Sequence, residues 1–179
     1  MQIKAFMIIA LAAVFCLTSI TSAAMAAEKP KAAPAKAPPP NNITQEAMKI
    51  GIRTCAGRIN QVTNFLVAGT DSTGYITDVS KSNPDQRMAS VSMEIPLKDS
   101  SAYAAASFAP LQTNYCEGIY ETVVYWPQRC TEVAEKNFAA FKKSGALSKR
   151  VYVRDGGAVK VFFMPAGTGC VVIKKEIVR

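Results

Sequence analysis

The sequence predicts an α+β domain in which two helices pack on a largely antiparallel sheet of about six strands, in the order α-βββ-α-βββ, stapled by two disulfides. Three observations carry that expectation. Two segments, from Ile43 to Leu66 and from Cys130 to Phe141, space their apolar residues by three to five, the period of an amphipathic helix. Six further segments are mostly β-branched, aromatic or alternating, and are bounded by Gly, Pro, Asn, Asp and Ser. Cys55, Cys116, Cys130 and Cys170 form an even set with no C-x-x-C pair, the inventory of structural bridges and not of a redox motif or a zinc ribbon.

Before the domain comes an export pattern. Lys4, an apolar run from Ala5 to Leu17 and the small-residue exit Ala24-Met25-Ala26 predict a signal peptide over residues 1–26. The mature protein is then periplasmic or secreted, cleaved near Ala26. Thr18, Ser19, Thr21 and Ser22 interrupt the apolar run before the roughly 20 residues that a bilayer crossing needs. No stable membrane span is expected after cleavage. Residues 27–42, almost all Ala, Pro and Lys, have nothing to place in a core and read as a flexible tether. Residues 43–179 read as a single α+β domain.

Within that domain, Ile43, Ala47, Ile50, Cys55, Ile59, Val62 and Leu66 make the inner stripe of the first helix, which Gly51 and Gly57 weaken. Tyr75 to Ser80 and Met88 to Ile95 read as strands around a polar turn. In the second, Ala89, Val91, Met93 and Ile95 alternate with Ser90, Ser92 and Glu94, the period of a half-buried strand. The Ala-rich stretch 102–106 suggests a short helix capped by Asp99 or Ser100. Tyr115 to Trp126 is a long aromatic and β-branched strand that Pro127 stops. Cys130, Val133, Ala134, Phe138 and Phe141 line the second helix. Arg150 to Arg154, Ala158 to Met164 and Cys170 to Val178 complete the sheet, separated by Gly-rich turns.

Each half places one Cys on its helix and one at the start of its third strand, a pattern that hints at internal duplication. An up-and-down path through these elements sets Cys116 and Cys130 at opposite ends of the domain, and Cys130 and Cys170 likewise. The favoured bridges are therefore Cys55 with Cys130 and Cys116 with Cys170.

Composition limits the chemistry. The chain has no His, which removes imidazole acid/base catalysis, Ser-His-Asp and Cys-His nucleophiles and His-ligated zinc. Glu117 and Glu121, four apart on a strand, lie about 13 Å apart, beyond the roughly 6.5–9.5 Å of an inverting glycosidase pair. The sequence thus predicts a non-enzymatic protein that needs no metal and no cofactor.

Charge points instead to binding. From Lys142 to Arg179 there are nine basic residues against Asp155 and Glu176. If Val151, Val153, Val159, Val161, Val171 and Ile173 share the inner face of the last meander, Arg150, Tyr152, Arg154, Lys160, Phe162 and Lys174 form a basic, aromatic outer face. Such a face suits an envelope or secretion protein, or an anionic envelope polymer. Nucleic acid does not fit the predicted export. An alternative reading is a small-ligand or glycan-binding protein that stacks its ligand on Tyr120, Tyr125 and Trp126.

Overall fold

The structure is a computed structural model that describes residues 38–68, 74–112 and 115–179. The predicted signal peptide and residues 27–37 of the predicted tether lie outside the described residues. From Pro38 to Arg179 the chain forms one body. It comprises α1 (Asn42–Lys49), α2 (Ala56–Val67), β1 (Gly74–Val79), β2 (Ala89–Pro96), β3 (Ser101–Pro110), β4 (Cys116–Trp126), α3 (Cys130–Asn137), β5 (Lys142–Ala146), β6 (Tyr152–Asp155), β7 (Val159–Ala166) and β8 (Gly169–Val178). The strands form one antiparallel sheet in the order β1-β2-β3-β4-β8-β7-β6-β5. The described residues therefore hold three helices and eight strands, not the two and six expected from the sequence.

Three local decisions account for the difference. The first expected helix breaks at Gly51, whose φ of 101° is open to glycine and strained for other residues. A Cβ there would also meet the Pro84 ring at 3.0 Å. Asp85 fixes the break: its Oδ1 accepts the Arg53 and Thr54 backbone N–H groups, each at 2.6 Å. Those hydrogen bonds hold the Asp85 carboxyl below the usual carboxylate range. At the other end of α1, Asn41 caps Thr44 N at 2.9 Å and donates to Thr63 and Asn64, which docks α1 on α2. Asn60 donates to the Pro38 and Pro39 carbonyls, so residues just ahead of α1 are also tied to α2.

The second decision concerns residues 101–110, where alanine suggested a short helix. They form β3, with Ala102, Ala104, Ala106 and Phe108 all buried on one side. Period-two burial beside β2 and β4 outweighs the helix propensity of alanine. The third lies after Cys130. Helix α3 ends at Asn137, and Phe138 and Phe141 leave it while still packing against the second core. The chain then makes β5, whose five residues are all exposed and which no hydrophobic pattern announces.

The two unexpected strands also correct the disulfides. The bridges are Cys55–Cys116 and Cys130–Cys170, with Cα–Cα distances of 5.1 and 4.9 Å. They are not the favoured Cys55 with Cys130 and Cys116 with Cys170. In an up-and-down path each added strand reverses the end at which the next begins. With β3 in place, β4 starts at the end where α2 starts. With β5 in place, β8 starts beside Trp126, its ladder partner being Cys170 itself, and Cys130 follows Trp126 by four residues.

The result is one path walked twice. From α2 and again from α3, a helix is followed by four strands, with a bridge from the helix start to the beginning of the fourth strand; α1 precedes the first half without a counterpart. Pro110 pairs with Cys116 and Pro165 with Cys170; Phe108 pairs with Gly118 and Phe163 with Val172. The two fourth strands, β4 and β8, meet antiparallel at the centre. All three helices pack on the same face. One core gathers Ile59, Val62 and Leu66 of α2 over Val91, Met93 and Phe108; the other gathers Val133 of α3 over Val161, Phe163 and Val172. Between them lies a polar seam. Tyr120 of β4 donates to Glu176 of β8 and accepts from Lys174 at 3.1 Å, and Phe65 of α2 leans on the tyrosine ring at 5.7 Å.

Candidate functional site

The basic, aromatic face expected on the last meander is divided by the structure. Ladder partners Tyr152 with Phe163, Arg154 with Val161 and Val161 with Lys174 put Tyr152, Arg154 and Lys174 on the helix side. Lys160 and Phe162 stand on the opposite, uncovered side, Phe162 beside Val153 and Ile173. Arg150 is exposed in the turn between β5 and β6. Val153 and Ile173 thus do not share an inner face with Val161 and Val172, because both faces of these strands carry apolar residues and alternation alone does not choose between them.

The aromatic trio is likewise dispersed. Tyr120 is buried, and burial together with the Glu176 carboxylate pushes its hydroxyl well above the ordinary tyrosine range. It is a seam hydrogen-bonder. Tyr125 is half exposed on the uncovered face, where it covers Gly169. Trp126 packs against the second core from the helix side. No single stacking platform contains all three.

What the second half does assemble is a cleft between α3 and the β5–β6 hairpin. It encloses about 450 Å³ and its wall is mostly apolar: Ala134, Ala146, Phe163 and the Cys130 bridge. Tyr152, Arg154, Lys143 and Glu135 supply the polar groups. Arg154 is 5 % exposed, at the ladder position opposite Val161 that Val91 holds opposite Ala106 in the first half. Its guanidinium donates to Phe141 O at 3.1 Å and to Glu135 Oε1 at 2.7 Å. Lys143 approaches the same carboxylate oxygen at 3.0 Å. Lys143, and then Arg154, hold the Glu135 carboxyl below its usual range.

Glu135 therefore serves two cations, and the surroundings stay positive. The segment Lys142–Asp155 carries Lys142, Lys143, Lys149, Arg150 and Arg154 against Asp155, and Asp155 is engaged by Lys160. A mostly apolar slot with a positive rim can bury an extended segment while its acidic groups meet Lys and Arg. The exposed edge of β5 is a poor site for adding a strand, because it is five residues long, carries two lysines and bulges between Lys143 and Gly145. An occupant fits the slot better than the edge.

Of the cleft's polar residues, the sequence named Tyr152 and Arg154 as candidates but not Glu135 and Lys143, which become neighbours only through β5. The one sequence signal for that hairpin was Gly145 inside a polar run, with φ 97° at the bulge. Among the described residues, no group of three or more Cys, Asp or Glu side chains is placed to hold a metal ion, and no helix is long and apolar enough to cross a membrane. Comparison with protein-family models, with curated proteins and with solved structures finds no match.

Proposed function

We propose that this is an exported, non-enzymatic binding protein that holds an acidic, extended segment of an envelope or secretion component in the cleft between α3 and the β5–β6 hairpin. The observation that carries the reading is the pairing of a mostly apolar slot of about 450 Å³ with Arg154 buried at its wall and Lys143 beside it, on a hairpin whose connecting turn exposes Lys149 and Arg150. Buried apolar contact supplies the attraction, and the cations select for acidic residues and speed encounter. The two disulfides fit an oxidising compartment, which agrees with the export pattern of residues 1–26.

The test is an in-cell crosslinking capture with an affinity tag inserted between residues 28 and 36, compared between the natural chain and a Lys149→Glu, Arg150→Glu variant. Both side chains are exposed in a turn, so the variant should fold normally. A discrete partner whose capture falls at least about tenfold in the variant and weakens with salt supports the reading. Equal capture by both chains excludes the cations of the β5–β6 turn from the docking site and overturns the electrostatic part of the reading.

A further inference from the structure

We infer that the uncovered face of the sheet binds a second copy of this chain, related to the first by a two-fold axis running along the β4–β8 seam. The face is apolar where a wet sheet would be polar. Ile119 stands beside Ile177, and Val123 beside Ile173, as ladder partners at the centre of the sheet. Ile177 is 48 % exposed, and Tyr103 and Tyr125 flank the rows at 49 and 51 %. Helices α1, α2 and α3 all pack on the other face, so among the described residues nothing covers these rows.

Charge says what does. Strands β1 to β4 contain no Lys or Arg, and their four acidic residues, Asp78, Glu94, Glu117 and Glu121, all alternate onto the uncovered face. The same face of β5 to β8 carries Lys142, Lys160 and Lys175 against Asp155, and Arg179 follows on that side. One half of the face is negative, the other positive, and the boundary between them is apolar except for the Glu121–Lys175 pair. Such a surface is complementary to itself.

The ladder selects the axis. A half-turn about a line parallel to the strands exchanges left and right but keeps each residue at its level. It lays β4 over β8 of the second copy and β3 over β7. Glu121 and Lys175 share a level and lie 3.8 Å apart. In the pair they meet Lys175 and Glu121 of the second copy, so four charges alternate in sign around one square. Ile119 and Val123 meet Ile177 and Ile173, and Glu117, one step past the last ladder pair, comes over Arg179. An axis across the strands would set the acidic half on the acidic half. Aligned sheets cross at about 30°, so the match is closest on the axis, where the charge square and the isoleucines sit. Strands β3, β4, β8 and β7 span roughly 20 by 25 Å, a patch of about 500 Å² in projection. That is on the scale of the roughly 800 Å² of accessible surface that each partner buries in a standard interface. The α3–β5–β6 cleft opens on the helix side and stays free in such a pair.

Sedimentation equilibrium of the full chain over a range of concentrations tests this. The expected result is a reversible dimer. Lys175→Glu, which sets like charges together within and between copies, should raise the dimer Kd by about tenfold or more, and so should Glu121→Lys. The double variant, which inverts both signs and restores the square, should return Kd to within about threefold of the natural chain. Near-ultraviolet circular dichroism checks that each variant is folded. A monomer at every concentration, a dimer indifferent to Lys175→Glu, or a double variant that does not recover would each overturn the inference.

Discussion

The two halves follow the same path and fill it differently. In the first, α2 runs for twelve residues over Ala89, Ala102, Ala104 and Ala106, small residues that let Ile59, Val62 and Leu66 come close to the sheet. Phe108 lies over Gly118, where an added Cβ would meet its ring at 3.2 Å. In the second, α3 has eight residues and a smaller buried cluster around Phe163. Val172 takes the place of Gly118, and Arg154 takes the place of Val91. The comparison separates scaffold from site. The half with the fuller core buries more apolar side chains, and the half with the leaner core has room for a cleft and a buried cation beside it.

Removing the bridges one at a time gives the largest expected contrast between the halves. Their sequence separations of 61 and 40 give nearly equal losses in the chain-entropy model, about 4 kcal/mol each. If the halves lean on their bridges unequally, the outcomes diverge. Cys130→Ser with Cys170→Ser should open β5, β6 and β7 to hydrogen exchange while the first half stays protected. Cys55→Ser with Cys116→Ser should lower the global unfolding free energy and leave a cooperative fold. Equal exchange patterns in the two variants would mean that the halves unfold as one unit.

A smaller contrast distinguishes the cores. Phe108→Ala and Phe163→Ala each remove a fully buried ring at equivalent positions, and the usual cost is about 3–5 kcal/mol. Phe108 should fall at the upper end because its surroundings are more completely packed, and Phe163 lower because the cleft beside it lets neighbours relax. Chemical denaturation of both variants measures the difference.

The smallest effect is the pH dependence that Asp85 contributes in the first half. The Asp85 carboxyl is held low mainly by the Thr54 and Arg53 backbone N–H groups. A depressed carboxylate stabilises the fold fully above the ordinary value near pH 4, and that stabilisation is lost as pH falls through the lower folded value. Thermal melts between pH 5 and pH 2.5 should therefore fall more steeply for the natural chain than for Asp85→Asn. Parallel curves would show that Asp85 does not couple to folding.

Much of the scaffold was legible in the residues. The helix stripes at Ile59, Val62 and Leu66 and at Val133, the alternation in β2 and the turn glycines before β7 and β8 all express strong periods. Two strands were not legible, for opposite reasons. Alanine in β3 suits a helix, and only the neighbouring strands make it extended; β5 has no buried residue and so no pattern to read. Each omission reversed the direction of what followed, and two reversals were enough to mispair all four cysteines. The outer face of the meander failed for a different reason. In β8 both faces are apolar near the start of the strand, Val171 and Ile173 on the uncovered side and Val172 on the helix side, so alternation there did not choose the face, and only Lys175 farther along marks the exposed one. The same apolar rows that misled the face assignment are those from which a second copy is inferred.

The central position of β8 has a further consequence, for the order in which the molecule can be completed. It is the last of the eight strands to be synthesised, yet it lies between β4 and β7. Until it arrives, β4 offers an unpaired edge from Gly118 to Trp126, flanked by the side chains of the first core, and β7 has no partner on its inner side. The first half can close its own bridge early, while the sheet as a whole waits for the final segment to be inserted between two waiting edges. A chain of this protein is therefore most prone to pair with other chains while β8 is still unplaced, and the edges that then need shielding are those of β4 and β7, not a generally unfolded polymer.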